Sequence, residues 1–95
     1  MADTKAKPTY NKYNRELSRR MKEVRIEQNL TFKELSERSG IKVSRIKAIE
    51  EGTAKRLFIA EVLLIGASYD MEMKDFFNTE LFNQKVTPDD PNEVL

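Results

Sequence analysis

Ser44 and Lys47 stand three positions apart in the stretch 31–52, TFKELSERSGIKVSRIKAIEEG. On a helix that spacing puts a hydroxyl and an ammonium on one side, while Ile46 and Ile49 take another. Such groups bond to base edges and phosphates, and a helix carrying them fits the major groove of DNA, which is wide enough to admit it. Catalysis is the competing chemistry, and the sequence gives it little to work with. There is no cysteine and no histidine, which removes thiolate ligands, the commonest metal ligand and the commonest acid–base catalyst. Glu50–Glu51 and Asp89–Asp90 are adjacent in sequence, so their side chains diverge instead of meeting at a substrate. No enzyme, no cofactor and no metal site is expected.

The elements that hold Ser44 and Lys47 in place are helices. Tyr13, Leu17, Met21 and Val24 recur in steps of four, four and three, one face of a first helix capped by Asn11. It stops near Asn29, because asparagine tolerates the left-handed conformation that often ends helices. Thr31 opens the second helix as a capping box: its hydroxyl accepts from the Glu34 amide and the Glu34 carboxylate reaches back. That helix offers Leu35 to the core and the small Ser36 to a close neighbour, and Gly40 breaks it. Ile41 anchors the turn, and a third helix over about 43–50 ends at Gly52. A loop with the basic pair Lys55–Arg56 follows.

A fourth helix, about 59–69, is apolar over more than one stripe through Ile59, Val62, Leu63, Leu64 and Ile65, so burial on more than one side is predicted. A fifth starts near Glu72, carries Met73, Phe76 and Phe77, and continues through Leu81 and Phe82. No strand-like alternation or internal repeat stands out. The predicted organisation is a disordered basic arm over 1–10, one all-α domain over 11–83 and a flexible acidic tail over 84–95. No segment reaches the roughly 18 apolar residues that span a bilayer, and the N-terminus lacks the apolar core of a signal peptide. A cytoplasmic protein without membrane association is the default.

The net charge of +1 conceals a division. Residues 1–56 hold fifteen Lys/Arg against eight Asp/Glu, or +7; residues 57–95 hold two against eight, or −6. A basic half can be a solvated surface or can meet a polyanion while the acidic half points away. Here it also contains the two-helix motif, which favours nucleic acid.

With Arg25, Leu30, Thr31, Leu35, Ser36, Gly40, Ile41, Ile46, Ile49, Glu50 and Gly52 in place, residues 17–77 resemble the Cro/CI-type (Xre) helix-turn-helix regulators. Ile65, Gly66, Ser68 and Tyr69, then Met73–Phe77, continue the match. The resemblance implies a five-helix, phage-repressor-like DNA-binding domain with its helix-turn-helix at the second and third helices. It implies an Arg25–Glu50 ion pair tying the third helix to the first. It also implies double-stranded DNA as the partner and a homodimer on two half-sites.

Three positions depart from the family. Phe32 stands where members place a glutamine that reaches a phosphate, and is free to pack on a neighbouring part of the chain. Lys42 stands where Ser or Thr caps the third helix, although a lysine there can reach a phosphate. Val43 replaces a polar base reader, and its methyls can meet a thymine methyl.

On this frame Val43, Ser44 and Lys47 are the expected base readers. Thr31, Lys33, Lys42, Arg45, Lys55 and Arg56 are the expected phosphate contacts. Leu57, Phe58, Leu64, Phe77, Leu81 and Phe82 exceed what one small core needs, so they are the expected dimer interface. A small-molecule ligand is not expected. A phage or plasmid repressor, a restriction–modification controller and an antitoxin-type autorepressor all fit. So does a different class, a protein-interaction module on the same fold, for which Phe32, Val43 and Leu57–Phe58 speak.

Overall fold

The computed structural model describes residues 11–85. The expected arm over 1–10 and the expected tail, apart from Gln84 and Lys85, lie outside the described residues. Among the described residues there are six helices and no strand.

Local chemistry sets most of the boundaries. The Asn11 side chain accepts from the Tyr13 and Asn14 amides, both at 3.0 Å, and opens α1 (Lys12–Glu27). Just past its end Asn29 is left-handed at φ 56°. The Asn29 amide then reaches Ile26 O and the Leu30 amide reaches Arg25 O, the paired bonds of a Schellman motif. Thr31 caps α2 (Phe32–Ser39) with both bonds of the capping box, 3.0 Å from the Glu34 amide and 2.8 Å back to the Glu34 carboxylate. The Thr31 amide it accepts holds the Glu34 carboxyl below the usual carboxylate range. Gly40 at φ 78° turns the chain into α3 (Val43–Glu51), and Gly52 at φ 75° ends α3. Both glycines occupy a region in which a Cβ is penalised.

Helices α1 and α2 pack on both α3 and α4 (Ile59–Ser68). Met21, Val24, Leu30, Leu35, Ile46, Ile49, Val62, Ile65, Tyr69 and Phe76 form the buried core. Polar ties hold the layers in register. The Tyr69 hydroxyl donates to Met21 O at 3.0 Å, and burial pushes its pKa up. Arg38 of α2 donates to Ser68 O at the end of α4. Gly66 lets the next helix come close, since a Cβ there would stand 2.8 Å from Met73 Sδ.

Two expectations need correction. The expected fifth helix is two short ones, α5 (Met73–Phe76) and α6 (Glu80–Asn83), so the helix count is six and not five. Arg20 of α1 donates to the Phe76 and Asp75 carbonyls, taking acceptors at the end of α5. Thr79, extended at φ −126° and ψ 162°, restarts the chain by accepting from the Phe82 amide. Second, α4 is buried on one side only in the single chain. Val62, Ile65, Gly66 and Ser68 face the core, while Ile59, Leu63 and Leu64 are 70%, 47% and 49% exposed.

Candidate nucleic-acid interface

Three residues, 40–42, separate α2 from α3. The turn is held from within: Ser39 Oγ accepts from the Ile41 amide, and Lys42 O accepts from the Arg45 and Ile46 amides. Lys42 opens α3 without a side-chain cap, as expected for a lysine. Ile46 and Ile49 are buried, at 1% and 0% exposure, and fix the rotation of α3. At 100° per residue, positions 44, 47 and 51 then share the opposite side, with 43 at its edge. Ser44, Lys47 and Glu51 are exposed there and Val43 is half-buried. Glu51 is not among the expected base readers, although the helical period puts it on this side. Its carboxylate can accept from a cytosine amino group.

Arg25 of α1 anchors α3 from behind. Its Nε lies 2.9 Å from Glu50 Oε2 and 3.2 Å from Oε1, and its Nη1 donates to Leu30 O. The Glu50 side chain is 3% exposed and that of Arg25 14%, so the pair is largely withdrawn from water. The Arg25 guanidinium also lies over the Phe32 ring, 4.1 Å from its centroid, and Lys47 Nζ lies 5.4 Å from the same ring. The ring therefore brings the start of α2 against α3.

Arg45 sits differently from a phosphate contact. Its Nε and Nη2 bind both oxygens of Glu61 in α4, at 2.7 and 2.8 Å, and Nη2 also donates to Arg56 O. The bond from Arg45 holds the Glu61 carboxyl below its ordinary range, with help from the Phe58 amide. Arg45 is thus a clamp between α3 and α4 that fixes the loop carrying Lys55 and Arg56. This role was not legible beforehand, because its partner lies sixteen residues downstream.

The remaining cations behave otherwise. Lys33, Lys42, Lys47, Lys55 and Arg56 are exposed, and among the described residues they make no ion pair. They ring the start of α2, the start and outer side of α3, and the α3–α4 loop. On α1, by contrast, Arg19 and Arg20 are paired with Glu16 and Glu23, whose carboxyls those bonds hold low. Exposed cations without a carboxylate partner therefore outnumber the exposed acids Glu34, Glu37 and Glu51 on the α2–α3 side, while on α1 Lys22 is a further such cation.

The expected dimer residues divide into two groups. Phe58 (52% exposed) and Leu64 are open to solvent beside Ile59 and Leu63. Leu57 and Phe77 pack against the core. Phe77 and Phe82, with ring centroids 5.9 Å apart, line a groove with Leu17 of α1, and Leu81 is half-buried.

Among the described residues no helix is long and apolar enough to cross a membrane, and no cluster of acidic residues is placed to hold a metal ion. Comparison with curated proteins and with solved structures gives no match. Residues 20–64, from the middle of α1 through most of α4, match the family model of a helix-turn-helix domain. A helix-turn-helix domain is therefore present, and it points in general terms to a DNA-binding regulator.

Proposed function

We propose that the chain is a sequence-specific transcriptional regulator of the Cro/CI type. It binds a two-fold-related operator on double-stranded DNA as a homodimer in the cytoplasm, and acts as an autoregulating repressor or operon controller. Its work is binding, not catalysis, and needs no cofactor or small-molecule ligand. The observation that carries this reading is the ring of unpaired cations around α2 and α3. Val43, Ser44 and Lys47 meet base edges, joined by Glu51. Thr31, Lys33, Lys42, Lys55 and Arg56 meet phosphates, and Arg45 holds the loop that presents two of them.

The homodimer rests on α4. Ala60, Leu63, Leu64 and Ala67 form one uncharged, exposed stripe, and their order is symmetric about the midpoint of 63 and 64. A two-fold axis there sets leucine against leucine and alanine against alanine, the self-complementarity that an isologous interface requires. The surface expected from sequence thus contracts to α4 and Phe58. Half-sites about 10 bp apart, centre to centre, follow from pairing two such domains.

Binding to a random duplex pool at several salt concentrations tests the DNA reading. Four cationic phosphate contacts per protomer predict a log–log salt slope of about −3 to −4 for one half-site. Charge reversal at Lys47 and Arg56 abolishes enrichment on this reading. The competing reading, a protein-interaction module, draws on the exposed Phe58 and Ile59; salt-insensitive behaviour indifferent to those reversals would favour it. A monomeric mass at high micromolar concentration refutes the dimer.

A further inference from the structure

Phe32 occupies the first position of α2, half-buried against the core, with Arg25 and Lys47 both over its ring. The Arg25 charge is already answered by Glu50. Lys47 is different: Glu51, one turn further along α3, is suitably spaced to pair with it, yet no such ion pair forms. The Lys47 ammonium thus has the ring as its neighbour and no carboxylate.

We infer that Phe32 is a positioning residue for Lys47, holding its ammonium at the outer side of α3 without neutralising it. This deepens the DNA reading and rests on it. A cation within about 6 Å of a ring centroid is attracted by the negative face of the ring. A carboxylate would hold the lysine more tightly, but it would take up its donors and offset its charge. The ring leaves the three N–H groups free for an acceptor pair such as guanine N7 and O6. Arg25, whose charge Glu50 offsets, lies over the same ring and packs it in place. The aromatic residue thus replaces one kind of contact with another: a polar side chain at this position reaches a phosphate, whereas Phe32 directs a base-reading lysine.

A double-mutant cycle tests this, using the operator enriched by the wild-type chain from a random duplex pool. Phe32→Leu keeps an apolar side chain and removes the ring, with helicity and melting temperature checked by circular dichroism. It should weaken operator binding by about two- to five-fold per half-site, the range of an exposed cation–π contact. It should also flatten the preference at the base that Lys47→Ala flattens. In the Lys47→Ala background the same change should cost nothing further, because the residue through which Phe32 acts is gone. Phe32→Tyr, which keeps the ring face, should restore wild-type affinity and preference; if Phe32→Leu fails to fold, Phe32→Met takes its place in the cycle. Equal losses in both backgrounds, or no loss in the first, overturn the positioning role and leave the DNA reading intact. If the wild-type chain enriches no sequence, the DNA reading itself fails and the inference falls with it.

Discussion

Replacing Glu50 by alanine should be among the most damaging single changes in this domain. Glu50 is 3% exposed and binds Arg25 through both oxygens, at 2.9 and 3.2 Å. Its loss strands a guanidinium that is 14% exposed. Removing one partner of a buried ion pair costs about 3–5 kcal/mol, because the other charge stays buried without compensation. Arg25 retains the Leu30 carbonyl, the Phe32 ring and some contact with water, which places the loss near the lower end, about 3 kcal/mol. For a domain of this size each kcal/mol lowers the melting temperature by about 4–8 °C. A fall of about 12–24 °C is expected, read by circular dichroism at one fixed protein concentration so that association does not shift the midpoint. The companion variant Arg25→Met with Glu50→Leu removes both charges and roughly keeps the volume, so it should recover most of the loss. A Glu50→Ala protein melting within about 3 °C of wild type would refute the reasoning, since only exposed pairs are worth so little.

Acid should loosen the α3–α4 clamp. Glu61 has its carboxyl lowered from an ordinary value of 4.5, first by the bond from Arg45, so the unfolded chain binds that proton more readily than the folded one. Stability from this group is therefore present above pH 4.5 and lost as pH falls through the lowered value. Glu61→Gln should give urea midpoints that fall less steeply as pH drops below 4.5 than those of wild type; equal slopes would contradict the assignment. At Gly66, valine would press on Met73 Sδ and Cε, which lie 2.8 and 3.0 Å from an added Cβ. Overpacking of that kind should cost about 2 kcal/mol in urea unfolding, and an unchanged midpoint would mean that Met73 yields freely.

What the sequence made legible was the chemistry acting between residues two to five apart. Asn11, the Thr31–Glu34 box, Asn29, Gly40 and Gly52 all end or begin helices where expected, because each works through bonds to its near neighbours. The break after α5 is only partly beyond such reach: the Thr79 cap on the Phe82 amide is a three-residue signal that the sequence carries, whereas Arg20 holds Asp75 O from fifty-five residues upstream. The α4 stripe was misjudged for a related reason. Hydrophobicity around a helix shows that burial is needed but not whether the same chain supplies it. At the candidate site, Ser44 and Lys47 followed from helical spacing, while the Phe32 contact to Lys47 needed the packing angle between two helices.

Charge was the feature that sequence overstated, and the reason lies in which cation stands where. The basic half counts +7, but its arginines are largely committed within the fold: Arg20 to carbonyls of α5, Arg25 to Glu50, Arg38 to Ser68 O, Arg45 to Glu61. A planar guanidinium suits such two-point ties, whereas an ammonium is a compact, strongly hydrated charge that stays in water unless something holds it. Lys33, Lys42, Lys47 and Lys55 accordingly point outward, with Arg56 the arginine that joins them. The two sets separate fold from ligand. Substituting the inward arginines should lower melting temperature first and DNA affinity only as a consequence. Substituting the outward lysines should leave melting nearly unchanged and reduce both affinity and salt slope. Because the split follows the chemistry of the two side chains, Lys47→Arg is not a neutral swap. A guanidinium there gains a fork that Glu51 can capture, so the conservative change risks closing the contact that Phe32 leaves open.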